Sequence, residues 1–221
     1  MTAVAIDGPA GAGKSTAARA AAKRLGYIYV DTGAMYRAVG VRMLALGISP
    51  KESGRVEEAL KGLSVSLRFT EEGQRVLLNG EDVTGLIRTP EASRAASDFS
   101  ALPCVRSFLL GLQQDLAKTN SVVMDGRDVG TVVLPWAQVK IFLTASPEER
   151  ARRRHQELLE KGEAPSYEEI LSDMLARDYQ DSHREIAPLR PASDAVLLDS
   201  TGLTLDEVVE RIVGLVRKKE A

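Results

Sequence analysis

The residues with the clearest chemical potential lie near the start of the chain, in Gly8-Pro9-Ala10-Gly11-Ala12-Gly13-Lys14-Ser15. Four residues separate the first glycine from the Gly-Lys-Ser triplet. Glycines at this spacing let backbone N–H groups curl toward one point and form an anion nest. A helix that follows adds the positive end of its dipole. A lysine at this position reaches β- and γ-phosphates, and the serine hydroxyl after it joins a Mg²⁺ shell. The context fits, because Ala3–Ile6 reads as a short buried strand and Lys14 to Leu25 as an Ala-rich helix stopped by Gly26. The expected chemistry is phosphoryl transfer from ATP. The candidate ATP-binding set runs from Gly8 to Thr16, with Lys14 catalytic and Ser15 on the metal.

Arginines and aspartates elsewhere fit the same chemistry. Arg37 follows Asp31 and Thr32, and Arg127 stands in Asp125-Gly126-Arg127-Asp128. Arg177 precedes Asp178, and Arg184 follows soon after. A lone arginine is usually a solvated charge or half of a surface pair. A collection of planar guanidinium forks suits charge spread over several phosphates. Arg150, Arg152, Arg153 and Arg154 sit early on a predicted helix. Four arginines in five positions go around a helix, so some are merely solvated and at least one is expected to close over ATP. Asp125 ends an apolar strand. It is either an acid near Mg²⁺, acting through water, or a strand-end carboxylate that takes backbone N–H groups from the next turn. No general base is needed if the acceptor is itself a phosphate, already mostly a dianion at neutral pH. The arginine abundance favours such an acceptor over a hydroxyl.

The elements that must position these groups alternate. Strands are read at 3–6, 27–30, 122–124, 139–143 and 196–198, with helices between them. One such helix runs from Met35 to Leu46. Ser146-Pro147-Glu148-Glu149, Ser166 with Glu169, and Thr204 with Glu207 mark three further helix starts. That rhythm implies a parallel sheet covered by helices on both faces. Residues 62–88 differ: Val65, Leu67 and Phe69 alternate with polar residues, Glu71-Glu72-Gly73 reads as a turn, and Asn79-Gly80 is a hairpin signal. A small antiparallel insert is expected there rather than an irregular loop. No repeat, low-complexity stretch or linker appears, so the expectation is one domain over residues 1–221.

Bulk properties narrow the function classes. The 221 residues carry a net charge of −2, with 44% hydrophobic and 27% charged residues, so general nucleic-acid binding is disfavoured. The one cysteine, Cys104, is expected to be a small core residue in a reducing compartment. His155 and His183 lack metal-ligand spacing. The Ala3–Ile6 run is too short for a signal core, and no run approaches a membrane span. A cytoplasmic location is the expectation.

Taken with their neighbours, these segments resemble the bacterial cytidylate kinases along essentially the whole chain. The resemblance is carried by Ala5-Ile6-Asp7-Gly8-Pro9, by Asp31-Thr32-Gly33-Ala34-Met35-Tyr36-Arg37, and by Gly80-Glu81-Asp82-Val83 with Ile87-Arg88-Thr89. Asp125 to Val133, then Arg177-Asp178 with Asp181, Arg184 and Ala187-Pro188-Leu189, complete it. It implies an α/β fold of the P-loop type, with five parallel strands flanked by helices. It also implies a monophosphate-binding region with an enlarged hairpin insert at about 36–96, and a short lid at about 146–164. The reaction implied is transfer of the ATP γ-phosphate to CMP or dCMP with Mg²⁺, by a monomer in pyrimidine metabolism, with neither nucleic acid nor membrane as partner. Thr32, Tyr36, Arg37 and Arg184 would serve the acceptor nucleotide and its phosphate. Ser97, Arg106 and Asp128 would read the cytosine, with Asp128 pairing to a nearby arginine as the alternative. Arg177 and Asp181 would lie near ribose and phosphates, and Arg127 would face the transferring group. Arg153 is the lid arginine assigned to ATP. Ser15 departs from relatives that have glycine after the lysine. Two other readings stand beside this one: a P-loop kinase for another nucleoside monophosphate or small metabolite, and a GTP-dependent switch, which the lack of a guanine-reading Asn-Lys-x-Asp segment disfavours.

Overall fold

A computed structural model describes residues 1–70, 73–160 and 162–220. Its central sheet has five strands: β1 (Ala3–Asp7), β2 (Ile28–Asp31), β6 (Val122–Gly126), β7 (Val139–Thr144) and β8 (Val196–Asp199), in the order β2-β6-β1-β7-β8. A second sheet contains β3 (Val65–Thr70), β4 (Gly73–Leu78) and β5 (Glu81–Asp82), in that order. By internal contacts the chain forms two compact units, one of residues 28–122 with Met1, the other of residues 2–27 and 123–221.

In the second unit β1 is buried at every position, and it pairs in parallel with β7, Val4 opposite Val139. β7 pairs in parallel with β8 in turn. The continuous apolar run of β1 suits a strand covered on both faces, whereas β7 alternates and β8 buries only Leu198. Helix α1 (Lys14–Leu25) turns Ala17, Ala18, Ala21 and Ala22 inward and ends at Gly26, whose φ of 70° is the left-handed stop expected of it. Helix α8 (Leu205–Glu220) buries Val208, Val209, Ile212, Val213 and Val216. Its start is a reciprocal capping box: Thr204 Oγ1 accepts from Glu207 N at 3.3 Å, and Thr204 N donates to Glu207 Oε2 at 2.8 Å. Helices α6 (Pro147–Glu160) and α7 (Tyr167–His183) meet through Ala151, Leu158, Ile170 and Met174. Ser146 and Ser166 each accept the N–H of the glutamate three residues on, as their spacing predicts.

In the first unit, helix α2 (Thr32–Ala45) begins three residues earlier than the sequence reading placed it. Asp31 is the reason, because its carboxylate accepts the Ala34 N–H at 2.9 Å and starts the helix there. Helices α3 (Ser53–Lys61), α4 (Pro90–Ser100) and α5 (Pro103–Thr119) complete the helical part. Thr89 caps α4, and prolines occupy the first turn of both α4 and α5. The insert is a three-stranded meander. Its Asn79-Gly80 turn joins β4 to β5, with φ of 50° and 86°, the two positive values of a type I′ hairpin. The expected Glu71-Glu72 turn lies outside the described residues. Cys104 corrects its expectation: it sits half-buried in the first turn of α5 rather than in the core, and partial burial pushes its thiol up. Among the described residues no helix is long and apolar enough to cross a membrane.

Candidate active site

The glycine loop joins β1 to α1, where the reading of the sequence put it. Gly8 has φ of 149°, and a Cβ there would stand 1.9 Å from the Leu143 carbonyl oxygen, so only glycine lets the loop leave β1 this close to β7. Gly13 is left-handed at φ 82° and passes the chain into α1. Lys14 follows, buried, with its ammonium donating to the Pro9 carbonyl at 2.7 Å. Burial first, and Arg127 second, push its pKa down from the ordinary lysine value to about 7, while Asp125, Asp7 and Asp181 pull it back up. One basic group is thus held among a guanidinium and three carboxylates.

Ser15 Oγ donates to Asp125 Oδ2 at 2.8 Å, and Asp125 is buried at the end of β6. Of the two readings of Asp125, this contact favours the acid beside the metal position. A hydroxyl and a carboxylate side by side are the hard oxygen donors that Mg²⁺ takes, and the two residues fit that ion.

Asp7 takes the role the sequence reading weighed for Asp125. Its two oxygens accept the N–H groups of Val129 and Gly130, each at 2.7 Å. This fixes the start of a π-helical turn, Val129–Val133, directly after Arg127 and Asp128. Burial raises its pKa to about 6 against the pull of those two bonds. The sequence reading did not assign Asp7 a role. The available signal was an aspartate closing an otherwise apolar strand immediately before the glycine loop.

Arginine–aspartate pairs fill the rest of the second unit's site. Arg127 Nε donates to Asp181 Oδ2 at 2.8 Å. Arg184 Nη2 reaches Asp128 Oδ1 at 3.2 Å, with both side chains nearly buried, and Arg184 Nε holds the Ala187 carbonyl at 2.6 Å. Asp128 thus has a nearby arginine, Arg184, as an ion-pair partner. Burial and the neighbouring Arg127 push the Arg177 guanidinium down from its ordinary value. Arg153 donates to Glu149 and to the Ser200 carbonyl, at 2.8 Å each, and its Nη1 lies 3.9 Å from where a Cβ on Gly13 would stand. It borders the glycine loop. Arg152 is exposed and pairs with Glu149, while Arg154 is half-buried and pairs with Glu157. Arg150 turns inward.

In the first unit, Thr32 is buried at the start of α2, and Arg37 pairs with Asp31 Oδ2 at 2.8 Å. Gln74 of β4 brackets the same aspartate: its Oε1 accepts from Asp31 N at 2.9 Å, and its Nε2 donates to the Asp31 carbonyl at 3.4 Å. Arg106 of α5 is buried, donates to the Ser100 carbonyl at 3.2 Å, and lies over the Tyr36 ring at 5.7 Å. Ser100 Oγ bonds the Ser97 carbonyl at 2.9 Å, so Tyr36, Ser97 and Arg106 gather in one place. Gln74 was missed because a glutamine in a polar hairpin strand carries no distinguishing pattern.

The profile of the family described as cytidylate kinase matches residues 4–218. A cytidylate kinase from Carboxydothermus hydrogenoformans is 53% identical over 216 residues, covering 98% of this chain and 97% of that relative. One from Exiguobacterium sp. is 50% identical over 218 residues, covering 99% and 97%. Among solved structures, a gluconokinase from Sinorhizobium meliloti 1021 shares the fold with a TM-score of 0.50 at 18% identity, over 99% of this chain and 94% of that one. A protein of unassigned function from Eubacterium ventriosum does so with a TM-score of 0.55 at 10% identity, over 98% of each.

Proposed function

The chain belongs to the cytidylate kinase family, and from that premise we propose a residue-level account of how it moves the γ-phosphate of ATP onto CMP, giving ADP and CDP. The observation that carries the activity is identity of about half over nearly the full chain. In the proposed account the backbone N–H groups of Gly8 to Thr16 and the ammonium of Lys14 hold the donor phosphates. Arg127 and Arg177 face the transferring group, and Arg153 borders the nucleotide. Ser15 and, through water, Asp125 would hold Mg²⁺, which when bound would supply positive charge against the charge that builds on the donor phosphates. Thr32, Tyr36, Arg37 and Arg184 serve the acceptor and its phosphate, and Asp181 orients Arg127. The acceptor phosphate attacks as a dianion, so positioning and electrostatics supply the rate and no side chain need remove a proton. The account extends to dCMP as a second acceptor, and to a cytoplasmic monomer supplying pyrimidine nucleotides.

Cytosine presents an amino donor at N4 and acceptors at N3 and O2, so its reader needs one carboxylate and one or two donors. Asp128 supplies the first, and Arg106 and Ser97 the second. Uracil would set a carbonyl against the carboxylate, a mispairing such sites reject by large factors. ATP consumption with CMP, dCMP, UMP, AMP and GMP in turn tests the acceptor, with CMP expected to give the highest kcat/KM; a purine monophosphate ahead of CMP would sink the reading. The residue assignment is tested by Asp128→Ala, which should narrow the CMP/UMP ratio. A ratio as sharp as the wild type's would show that Asp128 does not read the base.

A further inference from the structure

Arg150 differs from the other arginines of its cluster. Its side chain is 4% exposed and donates three ways: Nε to the Ala145 carbonyl at 3.0 Å, Nη1 to the Ala10 carbonyl at 2.9 Å, and Nη2 to Asp178 Oδ2 at 2.6 Å. Those acceptors lie just past β7, in the glycine loop, and on α7. The other oxygen of Asp178 is buried with no hydrogen-bond partner among the described residues. Arg150 is therefore a donor that holds this carboxylate, beside the charge of Arg177. Around the same point, a Cβ on Gly11 would meet Met174 Cε at 2.8 Å and Arg150 Cβ at 3.3 Å, so the loop rests directly on α6 and α7.

The contact to Ala10 fixes the orientation of one peptide plane. The Ala10 carbonyl and the Gly11 N–H belong to the same trans unit and point in opposite directions. A carbonyl held on Arg150 turns the Gly11 N–H away from α6. We propose that Arg150 is a positioning residue of the donor site. It orients the Ala10–Gly11 peptide so that Gly11 N–H faces the donor phosphates, and through Asp178 it holds the loop in register with the helix that carries Arg177 and Asp181. This rests on the reading of the glycine loop as the ATP site and does not depend on which acceptor is used.

Calorimetric binding of ADP, with no acceptor present, separates the two. Arg150→Met should weaken ADP about tenfold or more and raise the KM for ATP in step, with the KM for CMP changed less than about twofold. Arg150→Lys should recover little, since a compact ammonium cannot reach three separated acceptors at once. The Gly11 amide resonance of the free protein should shift in both. If Arg150→Met does not fold, Asp178→Asn, which keeps an acceptor oxygen and loses the charge, should weaken ADP in the same direction by a smaller factor. Folded variants with a lowered melting temperature but wild-type ADP affinity and KM for ATP would overturn the proposal, leaving Arg150 as a staple between α6 and α7. Equal losses toward ATP and CMP would overturn it as well. Failure of wild-type protein to bind ADP would instead remove the ATP-site reading itself.

Discussion

At the scale of single residues, Lys14 meets two opposed requirements. It must be cationic when phosphates are present, yet it is buried where an ammonium is poorly solvated, and its pKa falls to about 7. At pH 8 the free protein therefore holds Lys14 mostly neutral. Phosphate oxygens arriving beside it favour the charged form and raise that pKa again. ATP binding should take up a proton at pH 8 and almost none at pH 6, where Lys14 is already charged. Calorimetry in two buffers of unlike ionisation enthalpy reads this directly, and identical heats at pH 8 would contradict it. Lys14→Ala should lower kcat by roughly a hundredfold or more, the scale of one preorganised donor lost in a dry site. Spacing alone made Lys14 and Ser15 legible. It could not rank Arg150 against Arg152, Arg153 and Arg154, because which face of α6 turns inward is decided by packing against α7.

Among elements, the five strands and α1 were legible as short apolar or Ala-rich runs, four of the strands ending at aspartate and α1 at a glycine. The bounds of α1 agree with its reading, Lys14 to Leu25 with Gly26 as the stop. The start of α2 was misplaced because Asp31 acts as a cap and not only as the end of a strand. Helix α4 carried no reading of its own; it buries Ala92, Ala95, Phe99 and Ser100, and Ala95 lies where α2 comes close. The two helices approach closely at Gly40, where an added Cβ would stand 2.9 Å from Ala95 Cβ and 3.1 Å from the Ala95 carbonyl carbon. Ala95 is two residues from Ser97, and Gly40 is one helical turn from Tyr36 and Arg37. Gly40→Ala gains helix propensity, yet it should wedge the two helices apart and destabilise the protein by about 1–3 kcal/mol, the usual cost of overpacking. Its kinetic signature should be a raised KM for CMP with the KM for ATP little changed. An unaltered CMP KM would separate this packing from the acceptor residues. The 146–164 region, expected to act as a lid, has its own test: hydrogen exchange there should slow when a bisubstrate analogue binds, and unchanged protection would remove the lid assignment.

For the whole molecule, the buried charges that serve the chemistry set how stability depends on pH. Asp7 has a folded pKa near 6, above the 3.8 of the free side chain, so between those values the folded chain holds more protons than the unfolded one. Its contribution to stability falls as pH rises from about 4 to about 6. Lys14 has a folded pKa near 7, below the ordinary 10.5, so between those values the folded chain holds fewer protons. Its contribution is at its worst below pH 7 and improves as pH rises toward 10.5. Together the two place the least favourable window at pH 6–7, where both are ionised and buried. Shifts of this size correspond to a few kcal/mol, the order of a whole domain's margin. Lys14→Met removes the charge and keeps the apolar stem. It should be more stable than the wild type at pH 6, with a gain that shrinks steadily between pH 7 and pH 10. Saturating ADP should narrow the same gap at pH 6, because bound phosphates offset the cost of the ammonium in the wild type while the variant has lost that contact. Urea titrations at pH 6, 8 and 9.5 measure the difference. A gain that is flat with pH would mean that Lys14 titrates alike in the folded and unfolded chains, and that its burial does not tax the fold.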